Sequence, residues 1–408
     1  MRPDLKDLIP KGEALSRILS AWTPMREAET VPLSEAAGRV LFEDQYANYN
    51  LPVVRASQMD GIAVKSAQFT EGIPDSSGWK YGEDYVRADT GDDFPDAFDA
   101  VIAIENVTFL ENGGVILPEK INASKGFNVK PQGADVRKGS LLCPGGRLLS
   151  ARELAAIAMG GIENVSVVCR PRVAFLPTGS ELVPVGSELK RGQNFDTNSI
   201  LVGQLLREMG AEAILHPIVK DDRECLRAAI EELRPLCDIL LVNAGTSKGG
   251  EDYCAGLLAE IGTSLFHGVS AVPGRPISAA VAGDKLILNL AGPSFAAYYN
   301  MDWAVRPLIC KALGIPVPER MRVKAVLSQP LHLPPFFSIM ISLRLKKAEA
   351  GAPAPYTAEP LSLRGSGAAG SAEALTADAL YISSPGEKSH SCGDVIEAEL
   401  LRNPAEIS

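Results

Sequence analysis

Apolar residues change their spacing several times along this chain, and each change predicts a different kind of element. Leu15, Ile18 and Leu19 fall at i, i+3 and i+4, so residues from about 11 to 40 read as helical, with Ser34 as the N-cap of a second helical start at Pro32-Leu33-Ser34-Glu35. Between residues 47 and 141 the apolar runs are short, such as Ala100 to Ile104 and Gly114 to Leu117, and are broken by Gly, Asp and Pro. That texture predicts a β-rich region. From Ser150 a helical face returns with Leu154, Ala155, Ile157 and Ala158, ended by Gly160-Gly161 and followed by a strand, Val165 to Val168. The β-rich region therefore reads as an insert between helical segments that pack together as a stalk.

Residues 171 to about 315 alternate strand and helix. Val173 to Leu176, Ala213 to Leu215, Ile239 to Val242 and Leu286 to Leu288 are continuous apolar runs. Val202, Leu205, Leu206 and Met209, then Leu226, Ile230 and Leu233, form one-sided helical stripes behind Asp196-Thr197 and Asp221-Asp222. Strands apolar on both faces, alternating with such helices, predict a mostly parallel sheet in a three-layer α/β/α domain. Its ligands are expected at the carboxyl ends of the strands. The tail resumes an alternating pattern at Val323, Ala325 and Leu327, and its segment 349–373 is rich in Ala, Gly, Ser and Pro. The partition expected is a discontinuous helical linker and dimerisation domain of 1–46 with 142–170, a β-rich insert of 47–141, an α/β domain of 171–317 and a small β domain of 318–408.

Composition narrows the function. With 408 residues the chain is long enough for several domains. A formal net charge of −10 and the lack of any Lys/Arg block argue against nucleic acid as a partner. No apolar run reaches the ~20 residues of a membrane span, and the amino terminus lacks the signature of a signal peptide. Seven cysteines at irregular spacing form no C-x-x-C pair. They read as free thiols of a reducing compartment rather than a disulfide or zinc framework, so a cytoplasmic location is expected. The four histidines share no metal-like spacing, and His216, next to a strand, reads as packed.

Three small-residue loops follow parallel strands: Thr178-Gly179-Ser180-Glu181, Asn243 to Gly250, and Leu290-Ala291-Gly292-Pro293-Ser294. Each alone reads as an ordinary strand–helix turn. Together they predict an anion-binding rim of backbone amides and hydroxyls, with Lys248 adding charge. None matches a P-loop or a dinucleotide fingerprint. Asp196 and Asp252 have plain alternative roles as helix caps. In the β-rich insert, Asp60-Gly61, Ala88-Asp89-Thr90-Gly91 and Gly133-Ala134-Asp135 each place a carboxylate beside glycine. Turn chemistry explains each one singly; a second reading has such carboxylates holding Mg²⁺ beside substrate phosphates.

The motifs, in order, resemble the MoeA and gephyrin E-domain family of molybdopterin molybdenumtransferases. Leu51-Pro52 with Ser57-Gln58-Met59-Asp60-Gly61-Ile62-Ala63-Val64 is similar to LP…SAMDGYAV. Thr90-Gly91 with Pro95 and Asp99-Ala100-Val101 resembles TGAxxPxGADAVV, and Gly133-Ala134-Asp135-Val136 resembles GEDV. Thr178-Gly179-Ser180-Glu181-Leu182 resembles TGDEL, and Asp196-Thr197-Asn198 resembles DxN. Asp238 with Asn243 to Ser247 and Glu251-Asp252-Tyr253 resembles DxxxxSGGVSxGExDY, and Val272-Pro273-Gly274-Arg275-Pro276 resembles KPGKP.

The resemblance implies an elongated homodimer, with a cleft between the α/β domain and the partner's β insert. Adenylated molybdopterin would bind there, molybdate would enter the dithiolene, and AMP would leave with Mg²⁺ present. It implies Asp60, Asp135 and Thr90 as catalytic residues, the first two also as metal ligands. Thr178, Gly179, Glu181, Asp196, Asp238, Gly245, Ser247, Lys248, Asp252, Gly274, Arg275 and Gly292 are implied for substrate, Arg275 as the partner of an oxyanion. Other cofactor-synthesis proteins are conceivable partners.

Several rim positions depart from the family pattern. Pro293 stands for an asparagine, Ala244 for a glycine, Val272 for a lysine, Ser180 for an aspartate and Ala134 for a glutamate. Such changes keep open an alternative, a catalytically impaired paralogue that binds a pterin, nucleotide or oxyanion, or a non-enzymatic scaffold.

Overall fold

The computed structural model describes residues 8–244, 250–361 and 372–407. Its chain forms two compact units, Ala28–Val168 and the flanking Met1–Glu27 with Cys169–Ser408. In the second of these a six-stranded sheet runs in the order Glu212–Leu215, Arg172–Thr178, Ile239–Ala244, Lys285–Asn289, Ser278–Ala282, Thr263–His267. The first four strands are parallel, and of the six only Ser278–Ala282 runs against the others. Both faces of the central strands are buried. Ala174, Leu176, Leu240, Val242 and Ile287 pack with Leu226, Ile230 and Leu233 of the helix Arg223–Leu233 and with Leu257 and Leu258 of Gly250–Ile261. Their neighbours Val173, Phe175, Ile239, Leu241, Leu286 and Leu288 are likewise at 0% exposure. That double burial is why these strands read as unbroken apolar runs.

The tail closes a small barrel. Ser338–Lys347 pairs with Tyr356–Pro360 on one side and Ala379–Ile382 on the other, and Arg322–Leu327 and Val395–Leu400 complete the ring. Closure leaves the ring without a free edge.

The amino-terminal expectation needs correcting. The helix spans only Lys11–Ala21. Ala28–Pro32 is then a strand paired antiparallel with Asn164–Val168, and Leu33–Glu35 is a single 3-10 turn with Pro32, not Ser34, at its cap. Pro24 and Pro32 cannot continue a helix, and Thr30-Val31 favour extended backbone. Nor does the helix join the 28–168 unit. Ala14 and Ile18 are buried, Lys11 Nζ donates to Tyr299 Oη at 3.0 Å, and Lys311 Nζ donates to the Trp22 carbonyl at 2.6 Å.

Within Ala28–Val168, Gly61–Val64 is the centre of a three-stranded antiparallel sheet between Tyr85–Ala88 and Ala100–Ala103. The helix Ala151–Met159 starts at a capping box in which Ser150 and Glu153 satisfy each other's backbone donors. The Ser150 bonds draw the Glu153 carboxyl down to about 2.

Candidate functional site

The carboxyl edge of the parallel sheet carries an open cleft of about 550 Å³. Thr178 is the last residue of its strand, and its hydroxyl donates to the Asn243 carbonyl at 3.2 Å. Asn243, 3% exposed, donates through Nδ2 to the Ala291 carbonyl at 2.8 Å and accepts on Oδ1 from Asn198 Nδ2 at 2.8 Å. Asn198 also donates to the Gly292 carbonyl at 2.6 Å, while its own buried Oδ1 has no hydrogen-bond partner among the described residues. Thr197 and Ser294 hydroxyls meet at 2.9 Å. The side chains of Asn243 and Asn198 thus tie the second and third expected loops together, and the Thr178 hydroxyl adds the first. Low dielectric strengthens such a network and makes any broken bond costly.

Asn300, fully buried, extends it. Its Oδ1 accepts from Ala291 N–H at 3.1 Å and its Nδ2 donates to the Gly274 carbonyl at 3.2 Å. Ser278 pairs with Asn289 in the antiparallel register, so the turn that precedes it lies at the same sheet edge. Gly274 and half-buried Arg275 are thereby brought to the rim. Replacing Asn300 with leucine strands a buried donor and a buried acceptor. A loss of about 2–4 kcal/mol in a denaturant titration is expected, and an unchanged midpoint would show that the clamp is dispensable.

Glu181 lines the cleft, and Asp196 sits between the cleft and the start of the helix Asn198–Glu208, accepting from Ser199 N–H at 3.0 Å. Asp238 does not belong here. It precedes the strand Ile239–Ala244, at the amino edge of the sheet. There it accepts from Arg172 N–H at 2.7 Å and lies 3.9 Å from Lys285 Nζ. The expected substrate contact at Asp238 is replaced by a structural ion cluster, because one strand length separates it from the rim. Gly245, Ser247 and Lys248 lie outside the described residues, and Asp252 is placed only as part of the helix Gly250–Ile261. None of Asn198, Asn243 and Asn300 is among the residues implied for substrate, although Asn243 opens an expected rim loop. Asparagine at the end of an apolar strand and at a helix start is the signal that could have found the first two.

The 28–168 unit holds the other carboxylates. Asp60 is exposed, and its Oδ1 accepts from both Thr90 N–H and Thr90 Oγ1 at 2.7 Å. Both bonds fall on one oxygen, so among the described residues Oδ2 is left for a ligand. Backbone donation from Thr90, then its hydroxyl, holds the Asp60 carboxyl below the usual carboxylate range, with help from Arg87. Asp135 is instead bound by Lys130 Nζ at 3.1 Å to each oxygen. It lines a separate hollow with Arg137 and Met159. Each of the two carboxylates expected at a metal thus has its own protein partner, Thr90 for Asp60 and Lys130 for Asp135. Among the described residues no three His, Cys, Asp or Glu side chains converge as metal ligands.

Two family models match this chain in order: the MoeA N-terminal region (domain I and II) over residues 9–161, and a probable molybdopterin binding domain over residues 176–311. The chain belongs to the MoeA family. Similar proteins include a molybdopterin molybdenumtransferase of Haemophilus influenzae, 29% identical over 84% of this chain and 83% of that one. Another, from Bacillus subtilis, is 28% identical over 97% and 94%. A solved molybdopterin biosynthesis MoeA protein from Pyrococcus horikosii covers 97% of the chain at 28% identity, with a TM-score of 0.79 and all of its own length matched.

Two departures from the MoeA pattern cost the backbone nothing. Pro293 has φ −62° at the cap of the helix Ser294–Asn300, the angle its ring imposes anyway. Ala244 ends its strand opposite Thr178, where the backbone is extended. Among the described residues the cleft lining contains Glu181 and Asp196 and no Lys or Arg.

Proposed function

We propose that this protein is a molybdopterin molybdenumtransferase of molybdenum cofactor synthesis, inserting molybdate into adenylated molybdopterin with release of AMP. Near full-length similarity to proteins carrying that name is the observation that carries the reading. The cleft's chemistry agrees with it. A pterin presents N–H donors along its pyrimidinone edge, and Glu181, Asp196 and the buried asparagine network offer acceptors and fixed dipoles. Gly274, Arg275 and the Gly245 to Lys248 segment are assigned to the oxyanion and phosphate end.

Cleaving a phosphoanhydride builds charge on phosphate oxygens. A bound Mg²⁺ would supply charge neutralisation there, and a carboxylate of this chain would hold it. Asp60 fits such a role through its open Oδ2, with Thr90 positioning it. Asp135 would first have to release Lys130. Incubation with adenylated molybdopterin, Mg²⁺ and molybdate should release AMP, and absence of AMP from well-folded protein would reject the activity.

The cation-free lining of the described cleft favours one second reading, a paralogue that binds pterin or nucleotide without turnover. Tight calorimetric binding with no AMP release would establish it.

We assign a homodimer to the 28–168 unit. Tyr46 and Leu141, paired across two strands, are each about half exposed, and Tyr49, Val53 and Met159 add 62%, 63% and 46%. So much open apolar surface marks an interface. Sedimentation should give twice the 43.3 kDa chain mass, and Tyr49→Asp should shift it toward the monomer; a wild-type monomer at micromolar concentration would contradict the assignment. No helix of the described residues is long and apolar enough to cross a membrane. With seven free thiols, a cytoplasmic location and no membrane partner complete the proposal.

A further inference from the structure

The helix Asn198–Glu208 starts at the cleft and ends, roughly 15 Å along its axis, at a separate hollow of about 460 Å³. That hollow lies within one compact unit, where the α/β domain meets the small barrel. Leu205, Glu208, Tyr298 and Arg306 come to it from the helices, Leu400 and Arg402 from the last barrel strand and the residues after it. Leu205 and Leu400 are 8% and 6% exposed and give it buried apolar wall, while Leu375 is 38% exposed. Its size is within the usual range for a small-molecule site.

Three guanidiniums line the hollow, those of Arg306, Arg320 and Arg402, and among the described residues a single carboxylate, Glu208, which is exposed to water. Two of the three are drawn together. Arg306 Nε donates to Asp302 Oδ1 at 3.2 Å, and Arg320 Nη2 donates to the same oxygen at 2.5 Å. Glu399 is shared in turn between Arg320 at 3.5 Å and Arg322 at 3.2 Å. Two carboxylates thus answer three guanidiniums. Among the described residues the Nη groups of Arg306 make no hydrogen bond, and Arg402 reaches only the Thr376 carbonyl at 3.4 Å and Asp378 at 3.7 Å. Tyr298 Oη accepts from Arg320 at 3.4 Å, and its own proton has no acceptor among the described residues. Burial pushes the Tyr298 phenol up, so that proton stays on as a donor. Asp302 belongs to a π-helical turn, Met301–Val305, a geometry that recurs at functional sites.

We propose that this hollow is a second ligand site, separate from the cleft, and takes a phosphate monoester with a small apolar body. The phosphate lies at Arg306, Arg402 and the Tyr298 hydroxyl, and the body lies on Leu205, Leu375 and Leu400. A planar guanidinium can bond two oxygens of a phosphate at once, and a dianion offsets the guanidinium that Asp302 and Glu399 leave unanswered. The site stands whether or not the cleft carries out the transferase reaction.

The test is calorimetric titration of the full-length protein with phenyl phosphate, inorganic phosphate and benzoate. Wild type, Arg402→Glu and Arg306→Gln are compared. Arg402 is exposed, and Asp378 keeps its bond from Leu345 N–H at 2.9 Å, so Arg402→Glu should melt as the wild type does. Arg306→Gln leaves Asp302 paired with Arg320 and serves if the first variant does not fold. Phenyl phosphate should saturate the wild type and bind at least about fivefold tighter than either inorganic phosphate or benzoate. Each variant should weaken it at least about tenfold, since one charge-assisted pair is worth that order. The proposal is overturned if phenyl phosphate does not saturate, or if both folded variants bind it as the wild type does, which would place it elsewhere on the protein. Equal affinity for inorganic phosphate would remove the apolar body, and equal affinity for benzoate would remove the phosphate head; either result also overturns the assignment.

Discussion

Asp60→Ala should lower the rate of AMP release by about 10²–10³-fold, the usual loss when one preorganised group that meets transition-state charge is removed, while the thermal unfolding curve stays in place. Its side chain is exposed and, among the described residues, bonded only to Thr90, so its removal opens no core. Chemistry alone should suffer. The working form is the carboxylate, which Thr90 favours by donating two hydrogen bonds and so keeps ionised to lower pH. Activity should therefore be present above the depressed pKa and fall as pH drops through it. Thr90→Val deletes the hydroxyl bond, raises that pKa and should move the acid limb of the pH–rate profile to higher pH. Stopped assays of AMP across pH check both variants. Turnover of Asp60→Ala at the wild-type rate would remove Asp60 from the mechanism.

Gly61→Ala should be the most damaging single methyl in the 28–168 unit. A Cβ at Gly61 would sit 1.9 Å from the Ile102 carbonyl oxygen and 3.1 Å from Ala103 Cα. Both atoms are backbone of the adjacent strand, so no rotamer change relieves the clash. The sheet must open, at a cost of at least about 3 kcal/mol. Because the Asp60 carbonyl accepts from Ile104 N–H within the same pairing, the carboxylate should shift and AMP release should fall with stability. Gly91→Ala is the contrasting control. Its φ of +93° disfavours a side chain, but nothing lies within 4 Å of the added Cβ, so about 1–2 kcal/mol is expected. Denaturant midpoints of the two variants decide the matter; equal small losses would mean the three-stranded sheet is not packed as described.

The pair Asp60-Gly61 also shows where reading residues in order stops working. Asp-Gly is a turn signal by local chemistry, yet Gly61 opens the central strand of a sheet and is needed for a neighbour 41 positions away. The same limit governs the carboxylates. Asp60 and Asp135 both stand beside glycine, and nothing local says that Thr90 holds one and Lys130 the other. Asp238 lies within a recognisable motif, but its end of the strand depends on sheet direction, and it faces Arg172 and Lys285.

What the chain determines unaided is its parallel sheet, its helix faces and its family. Each rests on a signal repeated over many positions: apolar runs where strands are buried twice, stripes at helical spacing, and glycine-bearing motifs in a fixed order. Register and partner choice were left to the tertiary structure. Asn198, Asn243 and Asn300 became the scaffold of the cleft only when three distant loops met at one sheet edge. Hydrogen bonds reach about 3 Å, so which polar groups pair is settled by packing geometry and not by the spacing of residues along the chain.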